Sequence, residues 1–211
     1  MQVHREDLVE ILNVAKQQGS DFADIFVEEA HTAQIYCEQD RIERVTAGTD
    51  AGAGIRVIVG EATAYAYTND LSLEGLKNAA TTAAAAARGN NPPIVIDLCR
   101  RNPSFDLPIL VRPETVAVAD KVAVVEQANR AARKADARVR QVIVSYRDVT
   151  QKIIIANSAG VWVEDERIRT NLSMNVIAME DGKIQTGFES LGGIIGFELL
   201  RETDPRELAV R

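Results

Sequence analysis

The chain has 211 residues, of which 46% are hydrophobic and 26% are charged, a composition typical of a soluble globular protein with one large or two small domains. Its formal net charge is −7, which opposes the attraction to phosphate groups that dominates nucleic-acid affinity, and no Lys/Arg-rich run offsets this charge locally. Direct binding of DNA or RNA is therefore not expected.

Targeting and redox features indicate the compartment. Acidic residues stand near the N-terminus, where a signal peptide needs basic residues and then an apolar core. No stretch approaches the roughly 20 apolar residues of a membrane span. Cys37 and Cys99 have no CxxC spacing and are too few for a disulfide framework, so two free thiols are expected. The sequence thus predicts a cytoplasmic protein without a membrane partner.

The N-terminal part of the chain predicts one helix followed by a meander of strands. Apolar residues at helical spacing indicate a helix over 5–18, with Gly19 as its stop. Between residues 22 and 68, turn signals at 38–40 and 60–61 help to separate four or five segments rich in β-branched and aromatic residues. This pattern is typical of antiparallel strands.

A second helix is predicted directly after these strands. Ser72 is a candidate N-cap, and Leu71 and Leu76 are placed for a hydrophobic staple around it. The alanine-rich run that follows ends at Arg88–Gly89. Residues 90–113 contain five of the six prolines, so they are expected to form an ordered irregular connection or a linker.

The second half of the chain repeats this order of elements. Pro113 suits the first turn of a third helix that runs to about Ala135. Alternating apolar residues between 139 and 190 then predict a second meander with a late hairpin at Asp181–Gly182. The repeated order predicts an α+β fold of two helix-plus-antiparallel-meander halves. Internal duplication is one explanation, although any meander sheet packed on a helix gives a similar pattern.

The last residues carry the signals of a helix start. Asp204 is an N-cap candidate, a proline follows it at N1, and Glu207 is an acid at N3. Because so short a helix is marginal on its own, we expect the chain to be a segment of a longer protein. The predicted organisation is a first half over 1–89, a Pro-rich connection over 90–113, a second half over 114–200 and a truncated helix over 201–211.

Side chains suited to catalysis or to transition-metal binding are scarce. His4 is expected in the N-terminal segment and His31 in a hairpin connection, both exposed, and the sequence has no HExxH, HxH or Cys/His cluster. Neither Cys37 nor Cys99 stands at an identifiable helix N-terminus that would lower the pKa of its thiol. The sequence does not exclude a nucleophilic pair of Cys37 or Cys99 with His31, but it does not favour one.

Two glycine-rich stretches resemble nucleotide-binding loops only in part. Gly52-Ala-Gly54 starts like a dinucleotide loop, but Val57 stands in place of the third glycine and a strand follows instead of a helix. The stretch from Gly192 to Gly196 is not followed by the Lys-Ser/Thr of a phosphate-binding loop. We expect these glycines to let the backbone bend or approach another chain closely.

Several acidic side chains could in principle form a site for a hard cation. None follows the spacing of a calcium-binding loop, so we expect them on solvated strand faces and in turns. They are Glu28, Glu29, Glu38, Asp40, Glu43, Glu164, Asp165 and Glu166. The sequence therefore assigns no catalytic, cofactor-binding or metal-binding residue.

Four stretches taken together resemble the TldD/PmbA family. They are ADIFVEE at 23–29, the block from Arg41 to Leu76 that contains GAGIRVIVGEATAYAYTNDLSLEGL, IIIANSAG at 153–160 and KIQTGFESLGGIIGFELL at 183–200. The resemblance covers nearly the whole chain, and the part from Gly52 to Leu76 is the most specific. The QTGFES stretch with its following Gly-Gly-x-x-Gly-aromatic run is more similar to the TldD type than to the PmbA type.

The resemblance implies a cytoplasmic zinc metallopeptidase whose TldD-type and PmbA-type subunits pair as a dimer, homo- or heteromeric, and degrade unfolded peptides. The family holds zinc with a His-Glu-x-x-x-His helix and a later cysteine. This sequence has neither, and Cys37 and Cys99 do not match the family's metal cysteine. We therefore expect zinc in a missing C-terminal part, no cofactor in this chain, and no peptidase activity from the chain alone.

Three roles follow from the resemblance. The first is a non-catalytic N-terminal scaffold that helps to admit extended peptides, which a sheet edge could accept by strand addition. The second is a structural or dimerisation module without peptide contact. The third, taken from the family's older label as modulators of DNA gyrase, is a protein–protein contact with gyrase.

Overall fold

The computed structural model describes residues 3–89, 92, 94–101 and 107–209, and these form the expected α+β fold. The helices are α1 (Arg5–Lys16), α2 (Leu73–Ala86), α3 (Val118–Ala135) and α4 (Leu199–Glu202). The strands are β1 (Phe22–Glu38), β2 (Arg41–Val59), β3 (Ala62–Thr68), β4 (Cys99–Arg101), β5 (Val139–Asn157), β6 (Val161–Glu180) and β7 (Lys183–Gly193).

The strands follow the order β3-β2-β1-β5-β6-β4, with β7 paired to β6 as well. β2 and β3 pair antiparallel, with Ala53 opposite Thr68 and Val59 opposite Ala62. β7 pairs antiparallel with the later part of β6, from Thr170 onward. The short strand β4 pairs with the start of β6 in parallel, and the sequence did not predict it.

The strands are longer and fewer than predicted. The two segments expected on either side of His31 form the single strand β1, so the prediction that His31 lies in a hairpin connection is wrong. β2, β5 and β6 likewise each join two predicted segments and have 19, 19 and 20 residues. Tight hairpin reversals need positive φ angles, which none of the residues at these merged positions adopts.

The hairpin turns lie where the turn residues predicted them. Gln39 and Asp40 have φ angles of 49° and 62° between β1 and β2. Asp181 and Gly182 have φ angles of 48° and 77° between β6 and β7. Both pairs show the left-handed conformation that matches the twist of two-residue hairpins. Gly60, at the turn between β2 and β3, has a φ of 55°.

The ends of the helices differ in detail from the prediction. α1 ends at Lys16, and Gly19 follows with a φ of 71°. Pro113 begins a separate 3-10 turn, Pro113–Thr115, so α3 starts later than expected, at Val118. The predicted helix start near the C-terminus is a 3-10 helix, Pro205–Ala209, whose first turn is held by Asp204 accepting from the Arg206 backbone N–H at 2.9 Å.

Contacts divide the chain into two compact units. Unit 1 takes its residues from 1–30, 50–105 and 151–166, and unit 2 takes its residues from 31–49, 106–150 and 167–211. The four-part organisation expected from the sequence and the internal duplication both stay predictions.

Unit 1 packs α1 and α2 against one face of its strands. Leu8, Ile11 and Leu12 of α1 are fully buried against the strands, and small alanines on α2 allow it to come close to α1. The strand residues of this core alternate along the chain, as one face of a sheet requires. They include Ala23, Ile25 and Val27 on β1 and Ala53, Ile55 and Val57 on β2. The opposite face of these strands is therefore free of α1 and α2.

Unit 2 packs α3 against its own strands and buries an ion pair there. Lys121 is 4% exposed and Asp148 1% exposed, and Lys121 Nζ lies 2.5 Å from Asp148 Oδ2. The hydroxyl of Tyr146 donates to the same carboxylate oxygen at 2.5 Å. Burial, and then this contact with Asp148, raises the pKa of Tyr146 far above its ordinary value.

The Pro-rich connection is ordered where the structure describes it, while residues 90, 91, 93 and 102–106 lie outside the described part. Ile96 and Leu98 are buried in the core of unit 1. In unit 2, the buried carboxylate of Glu198 accepts the backbone N–H groups of Leu110 and Val111 at 3.2 and 2.8 Å. This bond set attaches the loop before α3 to the segment after β7. Across the described chain, no helix has the length and apolar character of a membrane span.

Candidate functional site

A groove of about 470 Å³ lies on the face of unit 1 that α1 and α2 leave uncovered. We call it the tyrosine groove. It is lined by Phe26, Glu28, Asp50, Ala51, Gly52, Ala53, Gly54, Tyr65, Tyr67 and Asn69. Tyr65 and Tyr67 are 64% and 66% exposed, which is unusual for large aromatic side chains in a strand.

Strand alternation explains why the aromatic side chains share this face. Ala64 is buried in the core of unit 1, so Tyr65 and Tyr67 on the same strand point to the opposite face. Phe26 likewise lies between the buried Ile25 and Val27 on β1. Three aromatic rings from two strands therefore meet on one surface, and the glycines of β2 lie between them.

The tyrosine rings lie over the glycines of β2. Tyr67 is opposite Gly54 in the register, but its ring leans along the sheet so that a Cβ built on Gly52 would lie 2.6 Å from Tyr67 Oη. Tyr65, opposite Arg56, leans in the same way, and a Cβ on Gly54 would collide with its hydroxyl. Glycine thus provides the floor on which each ring rests, an arrangement that packs an aromatic ring against a strand glycine.

The groove carries negative charge. Glu28 and Asp50 are the ionisable acids in its lining, and Glu28 accepts a hydrogen bond from Gln151 Nε2 at 3.0 Å. Arg56 lies beside the groove, but its guanidinium is paired with the carboxylate of Asp24, with Nε at 3.2 Å from Oδ1. This pairing balances the charge of Arg56 locally, so the part of the lining that the structure describes contains two acids and no base.

The two histidines do not form a site. The backbone N–H of His4 donates to Asp7 Oδ2 at 3.0 Å, and this residue is the N-cap of α1. The Nδ1 atom of His31, within β1, lies 2.9 Å from Thr49 Oγ1. Neither histidine belongs to a group of three or more His, Cys, Asp or Glu side chains that could hold a metal, as far as the described residues extend.

Both cysteines are free thiols, as predicted. Cys37 is buried in the core of unit 2, and burial is the main reason that its thiol pKa is raised. A raised pKa disfavours the thiolate, which is the nucleophilic form. Cys99 is exposed on β4.

The acidic residues considered for a cation site mostly have structural partners. Glu38 accepts from Gln141 Nε2 at 2.6 Å, and Glu43 pairs with Arg41 at 2.7 Å. Asp40, in the first hairpin turn, accepts from Asn129 at 2.7 Å, and Glu164 pairs with Arg100 at 2.6 Å. Within the part of the chain that the structure describes, no three His, Cys, Asp or Glu side chains form a group able to hold a metal.

The glycine-rich stretch after β7 behaves as a close-approach segment. A Cβ on Gly196 would collide with the backbone carbonyl of Val111, and the Gly196 N–H donates to Glu198 Oε1 at 3.1 Å. The close approach seen there is to the protein's own loop, and approach to another chain stays a prediction.

Sequence reasoning missed the tyrosine groove as a site. The alternation of Ala64, Tyr65, Ala66 and Tyr67 along the strand is typical of a sheet with one packed face, and by itself it does not indicate a groove. The feature that could have indicated the groove is the pair Gly52 and Gly54 on the preceding strand, because glycine leaves room for the two tyrosine side chains.

Comparison with known proteins identifies the family. Residues 23–87 match the PmbA/TldA metallopeptidase domain 1 family, and residues 111–211 match the PmbA/TldA metallopeptidase central domain family. Together these two matches include most of the chain. The chain belongs to the TldD/PmbA family. All residues that line the tyrosine groove lie inside the domain 1 match.

Curated relatives of this TldD/PmbA chain are named as metalloproteases. A metalloprotease of Methanothermobacter thermautotrophicus is 28% identical over 199 residues, which covers 90% of this chain and 41% of the relative. A metalloprotease TldD homolog of Haemophilus influenzae is 24% identical, covering 92% of this chain and 40% of the relative. The chain thus spans about two-fifths of the length of these relatives.

Solved structures share the fold at low sequence identity. A protein described as a modulator of a DNA gyrase from Thermotoga maritima has a TM-score of 0.76 at 20% identity, covering 98% of this chain and 46% of that one. TldE from Thermococcus kodakarensis has a TM-score of 0.75 at 17% identity, covering 96% of this chain and 46% of that one. The assignment to the TldD type rather than the PmbA type stays a prediction.

Proposed function

We propose that this chain is a non-catalytic, peptide-admitting scaffold of a cytoplasmic TldD/PmbA-type zinc metallopeptidase that acts on unfolded peptides. In this role it works beside a catalytic part and pairs with a TldD/PmbA-type subunit as a homo- or heterodimer. The metalloprotease names of its relatives support the peptidase context. The observation that carries the peptide-admitting role is the tyrosine groove on the uncovered face of unit 1.

The groove suits an extended chain better than a compact ligand. It is open to solvent, and the hydroxyl ends of Tyr65 and Tyr67 lie over two glycines of the strand β2. Exposed aromatic rings bind apolar and polar side chains of many kinds, and they lose little conformational entropy when they do so. Such a surface fits unfolded peptides, which share no sequence.

An edge for strand addition lies next to the groove. β3 stands at the end of the strand order, and no strand among the described residues pairs with its second edge. A peptide added there would form main-chain hydrogen bonds with β3, and its alternate side chains would lie beside Tyr65 and Tyr67. Main-chain pairing supplies affinity without demanding a particular peptide sequence.

Fluorescence anisotropy with the 211-residue chain and a dye-labelled unstructured peptide tests this role. We expect saturable binding that the double substitution Tyr65→Ser/Tyr67→Ser weakens by about tenfold or more, because two exposed ring contacts are lost. The matched control is Ile184→Ser/Phe188→Ser on β7, where the two side chains are 61% and 69% exposed. Equal binding by wild type and the tyrosine variant would refute the role.

A dimerisation module without peptide contact is the second candidate, and a surface on β7 favours it. Met179, Ile184 and Phe188 are exposed, and the register places Met179 directly opposite Ile184 on the same face. Exposed apolar patches of this kind often mark protein contacts. Analytical ultracentrifugation with and without peptide distinguishes the candidates. Self-association lost in Ile184→Ser/Phe188→Ser, with no peptide binding, supports the module.

Contact with DNA gyrase is supported by the family's older label and by the names of two structural relatives. The net charge of −7 opposes direct DNA contact, so such a role would operate through protein–protein binding. A pull-down with purified gyrase tests it, and absence of retention at physiological salt would remove this candidate.

A further inference from the structure

We infer that the tyrosine groove selects basic side chains, so that the peptides it admits are those carrying Lys or Arg. This inference rests on the proposed function, because it names the class of peptide that the same groove binds. It combines two independent features of the groove, its exposed aromatic rings and its unbalanced carboxylates.

The first feature is the exposure of the rings. The hydroxyl ends of Tyr65 and Tyr67 lie over Gly54 and Gly52, and the two side chains are 64% and 66% exposed. The face of an aromatic ring carries negative electrostatic potential and attracts guanidinium and ammonium groups. Two exposed rings on the same side of one strand therefore provide contacts for a cationic side chain.

The second feature is the charge of the lining. Glu28 lies on β1, the neighbour of the glycine-bearing strand β2, and Asp50 lies on β2 itself. Among the described residues, none that lines the groove is basic. The nearest base on these strands, Arg56, is held by Asp24. A basic side chain would therefore meet two carboxylates and two ring faces, whereas an acidic one would meet repulsion.

The experiment compares three unstructured twelve-residue peptides with the 211-residue chain. They are built of glycine, serine and threonine and carry arginine, citrulline or glutamate at the same three alternate positions. Citrulline keeps the shape of arginine and removes its charge. We expect the arginine peptide to bind about tenfold more tightly than the citrulline peptide, from the sum of cation–π and ion-pair contacts at an exposed site. The glutamate peptide should bind more weakly still.

Variants assign the preference to the groove. Glu28→Gln/Asp50→Asn should remove most of the difference between the arginine and citrulline peptides. Tyr65→Leu/Tyr67→Leu, which keeps apolar area and removes the ring faces, should reduce it as well. The control Glu61→Gln/Glu74→Gln changes the net charge equally at two exposed positions outside the groove. It should leave the preference intact.

Each outcome decides the inference. The arginine and citrulline peptides could bind with equal affinity and both shift the NMR signals of the Gly52 and Gly54 amides. That result would overturn charge selection, while the proposed function would still hold. Loss of the preference in the Glu61/Glu74 control would also overturn it, because overall charge would then be the cause. Failure of all three peptides to bind or to shift those amides would refute both proposals together.

Discussion

At the scale of single residues, two glycines with equally crowded surroundings have different consequences. A Cβ on Gly54 meets the hydroxyl end of Tyr65, an exposed side chain that can rotate away. A Cβ on Gly196 meets the backbone carbonyl of Val111, which is held in place because Glu198 accepts from the Val111 N–H. We therefore expect a side chain at position 54 to affect peptide binding and a side chain at position 196 to affect the stability of the fold.

This difference gives a paired prediction. Gly54→Ala should change the free energy of unfolding by less than about 1 kcal/mol, since only an exposed ring moves. It should nevertheless weaken peptide binding. Gly196→Ala should destabilise the chain by about 1–3 kcal/mol, because overpacking shifts the backbone. Urea denaturation followed by circular dichroism measures both, and equal destabilisation by the two variants would contradict the argument.

The buried pair of Lys121 and Asp148 sets a second prediction. Lys121→Met leaves the Asp148 carboxylate buried with the Tyr146 hydroxyl as partner but without its counter-charge. We expect a loss of about 3–5 kcal/mol in the free energy of unfolding. The double variant Lys121→Met/Asp148→Asn removes both charges and should recover about half of that loss. Denaturation at neutral pH checks it, and a double variant no more stable than Lys121→Met would argue against a charge effect.

At the scale of elements, the start of α2 depends on one side chain. The Gly75 N–H donates to Ser72 Oγ at 3.1 Å, and the Ser72 N–H donates to Asp70 Oδ1 at 3.0 Å. Ser72→Ala removes the acceptor of the cap and should cost about 1 kcal/mol in thermal or urea unfolding. Ser72→Asp keeps an acceptor at the same position and should preserve stability, so equal losses in both variants would exclude capping as the cause.

The loop that joins the connection to α3 has its own anchor, and that anchor depends on pH. Burial alone would raise the pKa of Glu198, but the N–H groups of Val111, Leu110 and Gly196 that bond its carboxylate bring the pKa below its ordinary value of 4.5. A carboxylate with a lowered folded pKa stabilises the fold above its unfolded pKa. That contribution is lost as the pH falls through the folded value.

Glu198→Gln therefore has a pH-dependent effect. At pH 7 we expect a loss of about 1–2 kcal/mol, because a neutral amide accepts the three N–H groups less well. The difference from wild type should shrink as the pH falls below 4.5 and through the lowered folded pKa of Glu198, because the native carboxylate then becomes protonated in the folded state as well. Glu202→Gln, an exposed neighbour on α4, is the control. A difference that stays constant with pH would show that the charge of Glu198 is not involved.

At the scale of the whole molecule, the prediction concerns metal. The described residues contain no group of three potential ligands, and the sequence has no His-Glu-x-x-x-His motif. The purified 211-residue chain should therefore contain far less than one equivalent of zinc by mass spectrometry. A chelator should leave its thermal unfolding midpoint unchanged, since no metal–ligand bonds contribute to folding. Chelator-sensitive peptide hydrolysis by the chain would contradict the non-catalytic role.

The parts of the fold that sequence predicted best were those set by local chemistry. Ser72, Gly60 and Asp181–Gly182 each impose a cap or a positive φ within a few residues, and the structure places them as predicted. Strand length was predicted poorly around His31, because nothing local distinguishes a long strand from two short ones. Strand β4 was missed because its pairing with β6 comes from far away in the chain.

The candidate site shows the same division. The sequence by itself determined the family, the α+β class and the alternation that exposes Tyr65 and Tyr67, since these depend on residue order along one strand. Only the tertiary structure decided that each ring lies over a glycine of β2 and that Glu28 from β1 shares the groove. Strand register and diagonal side-chain contacts arise from pairing between distant segments, and no local pattern records them.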